Sequence, residues 1–159
     1  MMRVTLAKLF LLSLLASCAA PQAGQRVVAP PQIASMMANY VDLWSRGEVE
    51  RIVEEAYSVP FTIIRADGST TFEDEQALSG FLKDTFKQLR ARGYDRSTLN
   101  GYEACRVHGD VAVVEMNFTR LLEDGSVMGS PERTVTYVLR RTASGFRIAG
   151  LVPHSDVAR

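Results

Sequence analysis

The sequence has few of the residues that build metal centres and nucleophilic sites. It contains two cysteines and two histidines among 159 residues, too few for the ligand spacings of a zinc site. We therefore expect no metal site and no cofactor. Charge of one sign is also lacking, because 18 basic residues balance 18 acidic ones. This balance favours neither nucleic acid nor an anionic membrane surface as a partner.

An apolar run long enough to cross a bilayer is missing from the N-terminal region. The apolar segment at residues 9–16, LFLLSLLA, is far shorter than the roughly 20 residues that a membrane-spanning helix needs. Arg3 and Lys8 place positive charge before this segment, and small residues follow it. This layout is typical of a secretory signal peptide, which is removed from the mature protein.

The end of this segment carries the first cysteine. Residues 15–18, Leu-Ala-Ser-Cys, resemble the bacterial lipobox. The resemblance implies that residues 1–17 are a lipoprotein signal peptide and that the thiol of Cys18 is lipidated. It also implies acylation of the new amino terminus, for example with palmitate. Two or more acyl chains would anchor the protein stably in a membrane, whereas one chain binds only reversibly.

The residues after Cys18 bear on where the protein is anchored. In a Gram-negative host the lipobox resemblance implies the periplasmic face of the outer membrane, because Ala19 is not the Asp that retains lipoproteins in the inner membrane. The alternative is an ordinary signal peptide that is cut after Ala20. Residues 18–32 are rich in Ala, Pro and Gln without apolar periodicity. They predict a flexible linker, followed by one domain over residues 33–159.

The second cysteine, Cys105, has no disulfide partner if Cys18 is lipidated. It lies in residues 102–110, YEACRVHGD, which are typical of a strand. We therefore expect Cys105 to be a buried small hydrophobe. A nucleophilic role would need a neighbouring base, and the sequence identifies none.

Three helices are predicted in the first part of the domain. Apolar residues recur every three or four positions in three segments, residues 33–44, 49–56 and 78–89. Gly47 provides a stop signal for the first helix, and Thr71 or Asp74 is a candidate N-cap for the third. Two brief strands, at residues 61–64 and 69–72, are predicted between the second and third helices.

The apolar period then changes to two, which predicts strands at residues 97–107, 111–122, 132–141 and 145–152. On the second of these, we expect Ala112, Val114, Met116 and Phe118 to face the core. On the last, we expect Phe146, Ile148 and Val152 to share a face. Helices followed by strands predict an α+β domain, in which three helices pack on a curved, mainly antiparallel sheet of four or more strands.

This order of elements resembles the nuclear-transport-factor-2-like cone, the fold of SnoaL-like proteins and ketosteroid isomerases. The segment at residues 40–68, YVDLWSRGEVERIVEEAYSVPFTIIRADG, resembles the opening of that family. The resemblance implies a cavity between the helices and the concave face of the sheet. It also implies a catalytic acid on the strand after the second helix in isomerase-type members. This chain has Arg65 there, and the nearest carboxylate, Asp67, lies in the following turn, which counts against isomerase chemistry.

Six aromatic residues are candidates for the lining of this cavity: Tyr40, Trp44, Tyr57, Phe61, Phe86 and Tyr137. Their spacing is equally typical of an ordinary apolar core. Tyr40, on the first helix, is a candidate hydrogen-bond donor in the cavity, although its helical spacing favours core packing.

Candidates for acid–base chemistry are weaker and comprise Asp67, Glu115 and His154. Glu115 lies opposite the apolar face of its strand, so we favour the outer face of the sheet for it. His154 precedes Ser and Asp, but adjacent residues cannot adopt the geometry of a catalytic triad, which leaves a position at the cavity rim as a minor hypothesis. Arginines that crowd the strands are expected to pair with acids on the outer face: Arg120, Arg133, Arg140, Arg141 and Arg147.

These observations favour a non-catalytic, lipid-anchored domain of the cell envelope that binds a small apolar ligand or a protein partner. One alternative is a small cone-fold enzyme, a lyase, isomerase or hydrolase that uses Tyr40, Asp67 or Glu115. A second alternative is a component of an envelope complex that forms a homodimer through the sheet.

Overall fold

A computed structural model describes residues 30–154. The predicted signal peptide, Cys18 and nearly all of the predicted linker lie outside these residues. The three helices are α1 (Pro31–Arg46), α2 (Val49–Ala56) and α3 (Glu75–Ala91). The strands are β1 (Tyr57–Arg65), β2 (Gly68–Phe72), β3 (Tyr94–His108), β4 (Val111–Leu122), β5 (Arg133–Thr142) and β6 (Gly145–Pro153).

The strands form one six-stranded sheet in the order β2-β1-β6-β5-β4-β3. All neighbouring pairs are antiparallel except β1 and β6, which are parallel. The predicted α+β fold, three helices packed on a curved and mainly antiparallel sheet, is therefore confirmed. Strand β1 is longer than the brief strand predicted at residues 61–64, with nine residues, and it joins β2 to the four later strands because it pairs with β6.

The helix ends follow local sequence signals. Helix α1 begins at Pro31, whose fixed φ suits the first helical turn, two residues before the predicted start at Ile33. It ends at Gly47, which adopts a left-handed φ of 70°. At the start of α3, the side chain of Asp74 accepts a hydrogen bond of 2.8 Å from the backbone N–H of Ala77. Asp74 is therefore the N-cap, whereas the other candidate, Thr71, lies in β2.

The core lies between the helices and the concave face of the sheet. Strand β4 contributes the four residues predicted for its inner face, Ala112, Val114, Met116 and Phe118, all of which are buried. The helices contribute side chains from the predicted apolar stripes, and several are fully buried: Ile33, Met37, Leu43, Ile52 and Leu78.

The prediction that Val152 shares the inner face with Ile148 is wrong. A β-bulge in the pairing of β5 with β6 leaves Ala149 as an extra residue between Ile148 and Gly150. One extra residue reverses the alternation of every side chain that follows it. Leu151, rather than Val152, therefore faces the helices and lines the interior.

The predicted burial of Cys105 is also wrong, because its side chain is exposed. The register of β3 on β4 shifts between Ala104, which faces Val114, and Arg106, which faces Val113. Cys105 is the extra residue of this bulge. The buried position expected for it is occupied by Ala104 instead.

Candidate functional site

A cavity of about 170 Å³ lies between the helices and the concave face of the sheet. Its wall is mainly apolar and rich in aromatic side chains. Of the six aromatic candidates from the sequence, Phe86 does not line the cavity, and five do: Tyr40, Trp44, Tyr57, Phe61 and Tyr137. Phe81 of α3 and Phe118 of β4 also line the cavity and were not among those candidates.

Three tyrosines from three elements meet at one side of this cavity. The hydroxyl oxygens of Tyr40 and Tyr57 lie 2.7 Å apart in a buried hydrogen bond. The rings of Tyr40 and Tyr137 meet edge to face, with centroids 5.6 Å apart. We call Tyr40, Tyr57 and Tyr137 the tyrosine trio. Helix α1 positions the first member, and the inner faces of β1 and β5 position the other two.

Burial determines the ionisation of the tyrosine trio. It raises the pKa of Tyr40, although hydrogen bonding to Tyr57 partly opposes this rise. Burial raises the pKa of Tyr57 and of Tyr137 well above the ordinary value, and the neighbouring Tyr40 raises both further. The three phenols are therefore neutral at physiological pH. They are poorly suited to remove a proton from a ligand, and one of the phenol protons of Tyr40 and Tyr57 is already used in the bond between them.

Trp44 contributes a polar group without a partner. Its indole ring stacks on Phe86, with centroids 4.4 Å apart. Its Nε1 atom is buried and has no hydrogen-bond partner within residues 30–154. The indole N–H acts on the hydroxyls of Tyr40 and Tyr57 as a weak donor and lowers the pKa of both, but neither oxygen completes a hydrogen bond of normal geometry to it. A buried N–H without an acceptor costs about 1–3 kcal/mol, and a ligand acceptor would offset this cost.

The charged residues that line the cavity are two arginines, Arg65 and Arg120. Arg65 is exposed and lies at the opening, whereas Arg120 is half-buried. The Arg120 guanidinium lies 5.7 Å from the centre of the Phe118 ring. Burial lowers the pKa of Arg120, and the charge of Arg133 lowers it further, but a guanidinium stays protonated in proteins. No Asp, Glu or His lines the cavity.

Arg120 corrects the expectation that the arginines of the strands lie on the outer face. It follows Phe118 by two positions on β4 and therefore shares the inner face. The alternation of inner and outer residues along β4 could have predicted this position, because Arg120 is the next inner-face residue after Phe118.

The structure does not bring the weak acid–base candidates to the cavity. Asp67 lies in the turn between β1 and β2, where it shares a surface depression with the exposed His154. The Nε2 atom of His154 lies 2.9 Å from the hydroxyl of Thr136. Glu115 lies on the outer face of β4, where it is paired across the strands with Thr136 and Glu103. None of the three candidates lines the cavity, although the depression that holds Asp67 and His154 shares Arg65 and Pro153 with the cavity lining.

Two further features of residues 30–154 concern metals and membranes. No group of three or more His, Cys, Asp or Glu side chains in this part of the chain is arranged to hold a metal ion. No helix there combines the length and apolar character that a membrane span requires.

Three helices that cover the concave face of a mixed six-stranded sheet, with a cavity between the two layers, define the NTF2-like class of proteins. Within this class the chain belongs to the family described as NTF2-like protein (DUF6841), which matches residues 31–156. No curated protein is significantly similar to the chain in sequence.

Solved structures share the fold at low sequence identity. An NTF2-like protein with a cystatin-like fold from Novosphingobium aromaticivorans has a TM-score of 0.64 and 18% identity, and the match covers 81% of this chain and 82% of that one. A proposed aromatic ring hydroxylase from Novosphingobium aromaticivorans has a TM-score of 0.61 and 13% identity, with 82% and 93% covered.

A proposed association domain of a calcium/calmodulin-dependent protein kinase II from Xanthomonas campestris has a TM-score of 0.56 and 10% identity, with 83% and 96% covered. Likenesses this distant show the fold alone. Because proteins of such different description share the fold, function has to be argued from the site of this chain.

Proposed function

We propose that the domain binds a small aromatic ligand in its cavity without transforming it. The observation that carries this proposal is the apolar cavity of about 170 Å³, which is rich in aromatic side chains and in which the Trp44 N–H has no partner. An apolar cavity of about 150 Å³ is large enough to bind benzene. A ligand with one ring therefore matches the space, and an acceptor atom on it would satisfy the indole.

The lining argues against the enzyme alternative. Proton abstraction needs a base within hydrogen-bond reach of the substrate, and no carboxylate or imidazole lines the cavity. The tyrosine trio is held in its neutral form by burial, so it offers donors and no base. The remaining hypothesis, a homodimer through the sheet, stays a prediction.

Binding can be followed through Trp44, because it is the only tryptophan in the chain. We expect benzyl alcohol to shift the single indole N–H resonance in a saturable way, since the ring fills the cavity and the hydroxyl oxygen accepts from Nε1. Val135→Phe, which enlarges a side chain that lines the cavity, is expected to abolish the shift. Titration by ¹H–¹⁵N NMR measures both.

The matched control is Val138→Phe, the same substitution on the same strand. Val138 points to the opposite face of β5, since inner and outer residues alternate around the buried Tyr137 and Leu139. This variant is expected to bind like the wild type. An indole resonance that does not respond to the probe, or responds equally in the Val135→Phe variant, contradicts the proposed function.

We also propose that the domain is anchored in the cell envelope through lipid on Cys18. Support comes from the lipobox-like residues 15–18 alone. The first helix begins at Pro31, and residues 18–30 could span at most about 45 Å when fully extended. The domain could therefore lie clear of a membrane surface.

Replacement of Cys18 by alanine is expected to abolish incorporation of labelled palmitate, because only the thiol can form the thioether to the lipid. The measurement is metabolic labelling of the full chain in a bacterial host, followed by immunoprecipitation. Cys105→Ala is the matched control and is expected to label fully, since it removes the other cysteine of the chain. Equal labelling of the Cys18→Ala variant and the wild type contradicts the proposal.

A further inference from the structure

We propose that the ligand is an aromatic carboxylate with a single ring, whose carboxylate is bound by Arg120 while its ring lies among the aromatic side chains. This inference rests on the proposed function, because it names the chemical class of the ligand for the same cavity. It adds a charge requirement that the aromatic wall alone does not impose.

The first argument is charge. Arg120 is half removed from water and lines the cavity, yet no ion pair within residues 30–154 involves it. The positive charge of Arg133 lies near enough to act on it, and Arg65 adds a second cation at the opening. A partly desolvated cation without a carboxylate is costly. An anionic ligand would supply the missing partner.

The second argument is the balance of donors and acceptors. Arg120 and the indole of Trp44 can only donate hydrogen bonds, and no carboxylate or imidazole lines the cavity to accept them. The guanidinium of Arg120 lines the same cavity as Tyr40 and Tyr137, and its charge lowers the pKa of both phenols. A carboxylate is a pure acceptor with two oxygens, and a guanidinium matches its planar geometry.

The third argument is size and shape. The cavity volume of about 170 Å³ is slightly larger than the roughly 150 Å³ that holds benzene. It leaves room for one ring with a carboxylate directed towards Arg120. The edge-to-face contacts of Tyr40 with Trp44 and Tyr137 present ring edges and faces against which another ring can pack.

The test compares three probes on the wild-type protein: benzoate, benzamide and acetate. Benzamide keeps the ring and removes the charge, whereas acetate keeps the charge and removes the ring. Charge-assisted hydrogen bonds predict that benzoate binds about 10- to 100-fold more tightly than benzamide. Acetate is expected to bind more weakly than benzoate, because it forms no ring contacts. The readout is the indole N–H resonance of Trp44, titrated at neutral pH.

The variant Arg120→Gln identifies the residue responsible. It is expected to weaken benzoate binding by about 10- to 100-fold while benzamide binding is unchanged. Arg106→Gln is the matched control, because Arg106 is exposed on β3 and lies outside the cavity lining. It is expected to bind benzoate like the wild type, which excludes a general effect of net charge. The probe comparison on the wild type stands even if the Arg120→Gln variant does not fold.

The outcomes distinguish a failure of the carboxylate assignment from a failure of the proposed function, the binding of a small aromatic ligand. Equal affinity for benzoate and benzamide overturns the carboxylate assignment and leaves a cavity that binds neutral aromatic ligands. Affinity for acetate equal to that for benzoate overturns the aromatic part of the assignment. A Trp44 resonance that does not respond to benzyl alcohol overturns the proposed function itself.

Discussion

Replacing Ile148 by alanine is expected to lower the free energy of unfolding by about 2–5 kcal/mol. Ile148 lies on β6, in the middle of the sheet, and is fully buried. Its neighbours across the strands are Tyr57 on β1 and Leu139 on β5, both of which are themselves buried. Strands on both sides hold the backbone in place, so the structure cannot collapse into the space that the isoleucine leaves. The measurement is equilibrium unfolding in urea at neutral pH.

Ile64→Ala is the control for this prediction. It makes the same change on β1, where the Ile64 side chain is 48% exposed. Because a half-exposed side chain loses less apolar burial and leaves no cavity, the expected cost is below about 1 kcal/mol. Equal losses for the two variants would show that the centre of the sheet is not packed as the structure has it.

The stability of the domain is expected to fall steeply above about pH 10, the ordinary pKa of tyrosine. Below that pH the tyrosine trio is protonated in both the folded and the unfolded protein and contributes no pH dependence. Above it the phenols ionise in the unfolded chain, while burial keeps the pKa values higher in the folded protein. The unfolded state then binds fewer protons, so stability decreases as the pH rises. Three such groups reduce it by up to about 4 kcal/mol per pH unit.

Unfolding in urea at a series of pH values from neutral to strongly alkaline measures this slope. Tyr57→Phe removes one titrating group and is expected to reduce the alkaline slope by about one third. Ile148→Val is the control: it is expected to lower stability by about 0.5–1.5 kcal/mol at every pH and to leave the slope unchanged. An alkaline slope that is the same in the Tyr57→Phe variant and the wild type contradicts the burial of the trio.

Regular elements were predictable because their signals are local. The helix over Pro31–Arg46 follows from apolar residues that recur every three or four positions. The inner face of β4 follows from simple alternation between residues 112 and 118. The bulges at Ala149 and Cys105 were missed, because an extra residue in one strand is defined only by its pairing with the neighbouring strand. Both wrong predictions of burial come from these two bulges.

The candidate site was likewise only partly predictable from local signals. The aromatic candidates were found from their spacing, but residues that pack in a core and residues that line a cavity have the same sequence pattern. Arg120 was predicted on the outer face because a charged side chain usually faces solvent. Its position two residues after Phe118 on β4 would have placed it on the inner face. The sequence could not show that Arg120 lacks an acidic partner within residues 30–154, because its neighbours come from several elements of the fold.

The sequence alone therefore determined the fold class, the order of the elements and the aromatic character of the interior, because each depends on periodicity along one segment. The lipobox-like residues 15–18 were likewise readable without a structure, and lipid anchoring stays a prediction. Only the tertiary structure decided that aromatic side chains line a cavity, that Asp67, Glu115 and His154 are not part of its lining, and that Arg120 is. These three facts depend on how strands distant in sequence are paired and on the space between two layers.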